Sequence, residues 1–178
     1  LNTANNDANG FAGLFMQAGE TSDGVTISAA RIGAIRVTTN SAATDLGFAV
    51  RGGNAVMTEA MRIDSDGRVL IGTTDSRDDF YQNGVNPHFQ VEGGTTAKSS
   101  ISATQNAATA DGPRMFFGKT RGTGAQVVSD GDRLGAISMQ GADGSDLVPS
   151  AEIHGYVDGT PGANDMPGRL SFATASDG

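Results

Sequence analysis

A chain of 178 residues with a net charge of −8 and no Cys or Trp has no disulfide framework and no thiolate chemistry, and its acidity disfavours nucleic acid and anionic membranes as partners. Gly, Ala, Ser, Thr, Asn and Asp make up about 60% of it, against about 19% for Leu, Ile, Val and Phe. That composition excludes a helical bundle and leaves one chain little apolar area for a core of its own. Gly does not recur at every third position, which excludes a collagen helix, and no apolar run approaches the ~20 residues of a membrane helix, so no membrane insertion is expected.

In chain order, the first strong signal is a hairpin. Met61-Arg62-Ile63 and Val69-Leu70-Ile71 flank Asp64-Ser65-Asp66-Gly67, where Asp supplies a side-chain cap and Gly the positive φ of a tight turn. The modest helix potential of Val56 to Met61 reads better as the approach to this strand. Further strands are expected at Phe89–Val91, Met115–Phe117, Leu134–Gln140, Ala151–Val157 and Leu170–Thr174. Each is short and bounded by Gly, Asp or Pro, the pattern of an all-β architecture. Ala103 to Gly112 and Gly141 to Pro149 are expected as surface loops, and Gly118 to Gly124 as a flexible turn rather than a phosphate loop.

An internal repeat runs through these strands. Ala30-Arg31-Ile32-Gly33-Ala34-Ile35 parallels Ala151-Glu152-Ile153-His154-Gly155-Tyr156, and Leu46-Gly47-Phe48-Ala49-Val50 parallels Leu170-Ser171-Phe172-Ala173-Thr174. The first copy continues into Thr58 to Asp64, whereas the second stops short. The expected division is a first β module at 1–76 and a second at 77–178, truncated at its C-terminal end, with the break in the charged stretch from Thr73 to Gln82. A start at Leu1 and an end at Asp177-Gly178 read as a segment of a longer chain. Repeats of this kind build elongated assemblies.

Little in the sequence points to catalysis: no nucleophile elbow and no Ser-His-Asp set stands out. Of the two histidines, His154 sits in an alternating strand, as a solvent-facing polar residue or as one ligand of an axial metal shared by three chains; His88 carries no motif. Asp64 to Gly67, Asp130 to Asp132 and Asp143 to Asp146 are read as turns, since none completes a twelve-residue calcium loop. No cofactor or metal is expected. Phe80, Tyr81, Phe89, Phe116, Phe117 and Tyr156 are aromatic side chains that could stack on sugars, and neighbours on a regular strand face opposite sides, so Phe116 and Phe117 cannot both point inward.

Met61 to Thr74 resembles the "ERMRIDSSGNVGIGTT" segment of bacteriophage tail fibre and tailspike-like proteins, a segment that often precedes a self-cleaving intramolecular chaperone. Phe89-Gln90-Val91-Glu92-Gly93, Gly118 to Thr123, Asp130 to Gly144 and Val157 to Leu170 resemble the same proteins. Ala60 stands where that family has Arg, and the chaperone is absent from this chain, so no self-cleavage is carried over. The resemblance implies an all-β, elongated homotrimeric fibre of short strands and hairpins. It further implies an extracellular place on the virion, with other tail proteins and a host surface glycan or protein receptor as partners.

The apolar pattern agrees with three chains pooling their cores. Met61, Ile63, Val69, Ile71, Phe117, Ile137, Ile153 and Phe172 are expected in the core and trimer contacts, and Tyr81, Phe116 and Tyr156 are candidates to face a receptor. The expected role is a non-enzymatic fibre segment for structure and host recognition. Its alternatives are a polysaccharide-depolymerising tailspike segment and a bacterial surface adhesin.

Overall fold

A computed structural model describes residues 11–20, 26–38, 42–52, 56–82 and 84–176; the rest of the chain, including Asp177-Gly178 and the first ten residues, lies outside the described part. The fold is all-β. Among the described residues nine strands run in chain order: β1 (Phe11–Glu20), β2 (Thr26–Arg36), β3 (Thr44–Arg51), β4 (Met57–Ile63), β5 (Val69–Ile71), β6 (Phe89–Val91), β7 (Arg133–Ala142), β8 (Leu147–Val157) and β9 (Gly168–Thr174). The described residues hold no α-helix, only a 3-10 turn at Thr96–Ser99. The contacts group into two units, one formed by residues 1–77 and 87–101, the other by 78–86 and 102–178.

The first unit is a six-stranded sheet in sequence order. β1 to β5 are antiparallel to their neighbours, and β6 lies parallel to β5. The β4–β5 turn forms as its residues dictate. The Gly67 N–H donates to the Asp64 carbonyl over 2.9 Å, Gly67 takes a φ of +81°, and Asp64 Oδ1 accepts the N–H groups of Asp66 (3.0 Å) and Arg68 (2.9 Å). Buried Gln90 then fastens the chain where it leaves this unit and returns. Its Nε2 donates to the carbonyls of Arg77 and Pro87, at 3.0 and 2.9 Å, and its Oε1 accepts the Arg77 N–H at 2.8 Å. An amide with both ends satisfied is affordable in a buried position.

The second unit is an antiparallel meander, β7-β8-β9. Its most buried side chain is Val157, whose N–H donates to the Asp132 carbonyl at 2.8 Å and whose carbonyl accepts the Gly131 N–H at 3.0 Å. Two expectations need correction here. Met115–Phe117 is irregular rather than a strand; Pro113 and Gly118 bracket it, and it lies exposed, hydrogen-bonded to no strand among the described residues. The loop expected from Gly141 to Pro149 shrinks to the turn Asp143–Asp146, because Asp143 Oδ1 accepts the N–H groups of Ser145 and Asp146 and lets β7 and β8 run on to either side.

The segments that repeat in sequence occupy matching register positions. Ile32 opposes Phe48 and Ala34 opposes Leu46 in the first unit; Ile153 opposes Phe172 and Gly155 opposes Leu170 in the second. The strand ahead of each pair matches as well. Leu14 opposes Ile32 and Met16 opposes Ala30, just as Ile137 opposes Ile153 and Met139 opposes Ala151. The register then slips at Met16/Gln17 and again at Met139/Gln140. The short sequence likeness between Leu14-Phe15-Met16-Gln17 and Ile137-Ser138-Met139-Gln140 becomes legible only once the strands are paired.

Candidate functional site

Side chains alternate across a strand while paired residues share a face, so the register sorts each sheet into two surfaces. In the first unit one row crosses all six strands: Leu14, Ile32, Phe48, Met61, Ile71 and Val91. A second row, Ala34, Leu46, Ile63, Val69 and Phe89, runs beside it. Every position is apolar, yet within one chain this face stays open, with Leu14 62% and Phe89 54% exposed. Met61, Ile63, Val69 and Ile71 all lie on it, half-buried.

The opposite face mixes charged with apolar residues and is better covered, burying Ile35 and Ala49. Arg62 reaches Asp45 at 2.7 Å and forks onto Glu59 through Nε and Nη2, at 2.6 and 3.0 Å. The hydrogen bonds and charge of Glu59 and Asp45 outweigh burial and raise the Arg62 pKa. Leu70, the most buried side chain of this unit, lies on the same face. Sequence reasoning placed Val69 and Ile71 in core or trimer contacts and did not single out Leu70; alternation marks the two faces without saying which one is covered within a chain. Burial pushes the Asp64 carboxyl up, but the Arg68 N–H and guanidinium overcome it and hold Asp64 below the usual carboxylate range. A carboxylate held ionised in this way is poorly suited to donate a proton.

The second unit repeats the division. Ile137, Ile153 and Phe172 form one apolar row, and Gly135, Gly155 and Leu170 the next. Phe172 is 75% exposed, and the glycines leave a shallow groove of about 240 Å³ beside Ile137, Ile153 and Leu170, edged by Phe117. Phe117 packs over Gly135, where a Cβ would fall 2.7 Å from its own Cβ. Phe116, next to it, is almost fully exposed.

On the other face the structure brings together two of the aromatic residues expected to face a receptor. The Tyr81 hydroxyl donates to Glu152 Oε1 at 2.7 Å. His154 Nε2 lies 3.3 Å from Glu152 Oε2, and the Tyr156 hydroxyl lies 3.2 Å from His154 Nδ1. The Arg169 guanidinium stacks over the Tyr156 ring at 5.0 Å and pairs with Asp158. His154 is therefore buried rather than solvent-facing, because it occupies the central strand opposite the small residues Ala136 and Ser171. The Tyr81 hydroxyl, chief among several donors, keeps Glu152 below the ordinary glutamate range.

The Asp-rich segments are turns whose carboxylates bind backbone N–H groups. Asp130 Oδ1 accepts the Gly159 N–H at 2.8 Å, and Asp132 accepts the Ser129 N–H and a two-pronged contact from Arg121 at 2.7 and 2.9 Å. That guanidinium, with the Ser129 N–H, depresses the Asp132 pKa strongly. Among the described residues no three His, Cys, Asp or Glu side chains gather as a metal cluster, and no helix is long and apolar enough to cross a membrane.

No protein-family model and no curated protein matches this chain. Solved structures share its fold, two of them from one phage fibre. The carboxy-terminal domain of the bacteriophage T5 L-shaped tail fibre with its intra-molecular chaperone domain superposes with a TM-score of 0.67 at 13% identity, covering 97% of this chain and 51% of that one. The carboxy-terminal domain of the same fibre superposes with a TM-score of 0.65 at 16% identity, covering 99% of this chain and 75% of that one. The present chain thus spans about half the length of the first of these.

Proposed function

We propose that this chain is a non-enzymatic structural segment of a phage tail fibre, carried on the virion as a homotrimer that takes part in host attachment. The observation that carries the reading is the pair of apolar rows on the first sheet, one crossing all six strands and the other five, left open in a single chain. A face of this extent needs cover, and two further copies supply it without any other protein. The shared fold with a phage tail fibre domain supports the same reading.

In this reading the modules at 1–76 and 77–178 both belong to a shaft. Met61, Ile63, Val69, Ile71, Phe117, Ile137, Ile153 and Phe172 line the contacts between chains. Tyr156 lies on the polar face with Tyr81 at its edge, and Phe116 projects from the segment before β7. These three would meet a host surface glycan or protein, with affinity multiplied by threefold display. Other tail proteins would hold the ends.

Light scattering of the isolated chain tests the assembly. The expected mass is three times the 18.1 kDa of one chain, and Leu46→Ser with Phe172→Ser, both on the apolar faces, shifts the population toward smaller species. A folded, stable monomer of the unaltered chain would overturn the proposal.

A further inference from the structure

Five Asp–Gly steps lie among the described residues: Asp66–Gly67, Asp111–Gly112, Asp130–Gly131, Asp143–Gly144 and Asp158–Gly159. Such a step is a reactive pair. The glycine nitrogen can attack the aspartate Cγ when the nitrogen is free to lose its proton, the carboxyl can be protonated, and the backbone can bring the two together. We infer that the fold protects four of these steps and leaves Asp111–Gly112 as a site of spontaneous backbone isomerisation to isoaspartate.

The four protected steps are held by hydrogen bonds of the turns. The Gly67 N–H donates to the Asp64 carbonyl, and the Gly131 N–H to the Val157 carbonyl. The Gly159 N–H donates to Asp130 Oδ1, which occupies the Asp130 carboxylate at the same time. Asp66 is engaged by Arg68 and Asp158 by Arg169, each at 2.7 Å. At Asp143–Gly144 the carboxylate accepts two N–H groups, from Ser145 and Asp146. These donors, that of Asp146 foremost, hold its pKa below the usual range. The four glycines also sit at positive φ, which locks each turn.

Asp111–Gly112 lacks the turn hydrogen bonds and the positive φ. It lies in a long exposed segment without strands. Among the described residues no backbone hydrogen bond of the turns and loops involves Gly112, and Gly112 is not among the glycines at positive φ. The Asp111 carboxylate is 78% exposed and pairs with the 63% exposed Arg114 at 3.1 Å; such a surface pair is worth little.

The step balances with water alone. The Gly112 nitrogen bonds to Asp111 Cγ and loses its proton, the Cγ–O bond breaks, and one water leaves to form a succinimide. Water then adds back. Attack at Cγ restores aspartate, whereas attack at the α-carbonyl carbon leaves the chain running through the former side chain, with a free α-carboxylate. Composition is unchanged, but the main chain gains one methylene a few residues before the exposed Met115 and Phe116. This site is independent of the proposed fibre role.

The whole chain, incubated for weeks at physiological temperature and neutral pH, is assayed for isoaspartate by enzymatic carboxyl methylation, with the site assigned by electron-transfer fragmentation of its peptides. Isoaspartate at Asp111 is expected to exceed that at each of the other four steps by on the order of tenfold. In urea, where the turns are lost, the five should become comparable, and Asp111→Glu should remove the folded-state signal. Accumulation at Asp111 no faster than at the turn steps of the folded chain would overturn the inference.

Discussion

Arg62 grips Asp45 through a 2.7 Å contact in which the side chains are only 14% and 6% exposed, on the sheet face opposite Phe48 and Met61. The pair spans two neighbouring strands, since Asp45 lies on β3 two residues from Gly47, which opposes Arg62 on β4. It anchors the hairpin as well, because Asp45 Oδ1 accepts the Ser65 N–H at 2.9 Å. Cutting one partner from such a pair strands the other charge away from water. Arg62→Met should therefore cost about 3 kcal/mol in urea unfolding at fixed protein concentration. Arg62→Lys should recover only part of the loss, since an ammonium cannot fork across Glu59 and Asp45 together.

Gly67 and Gly72 have nearly the same backbone, with φ of +81° and +80°, but different surroundings. A Cβ on Gly67 meets open space, whereas one on Gly72 runs into the Glu92 carbonyl oxygen. Gly67→Ala should cost only the conformational strain, about 1 kcal/mol. Gly72→Ala should cost more, because it also pries β5 from β6, where the Glu92 N–H donates to the Ile71 carbonyl at 3.0 Å. Thermal unfolding of the two variants under one condition would show the order; equal losses would contradict it.

Acid should weaken the fold through its depressed carboxylates. Asp64, held low by Arg68 against the upward push of burial, and Glu152, held low by Tyr81, both have folded pKa values below their ordinary ones. Their stabilisation is complete above the unfolded-state carboxylate values, near 4, and is lost as pH falls through the folded values. Stability should be flat with respect to these groups from neutrality to about pH 5 and decline below about pH 4. Tyr81→Phe removes a donor from Glu152, so its carboxyl pKa, followed by NMR titration, should rise. An unchanged value would show that the hydroxyl contact contributes nothing.

The hairpin from Met61 to Ile71 was legible because its information is local. Asp64 and Gly67 encode the turn within four residues, and alternation on either side sets the register. The parallel pairing of β5 with β6 was not legible, because Ile71 and Val91 are joined through a long excursion, and parallel strands carry no turn signal between them. Met115–Phe117 misled for the opposite reason: its apolar run suits a strand, but a strand exists only where another offers hydrogen bonds. Tyr81 and Tyr156 were singled out as aromatic residues, yet nothing in their spacing announced that Glu152 and His154 would link them.

By itself the sequence determined the all-β class, the Asp–Gly turns and the repeated strand pairs, since these rest on backbone preferences and alternation over a few residues. Only the tertiary structure decided that Leu70 rather than Val69 is the most buried member of β5, and that Leu14 through Val91 make one continuous apolar row. It also decided that His154 is buried. A period of two tells which residues share a face. Which face is covered depends on the neighbours that distant parts of the chain bring to it.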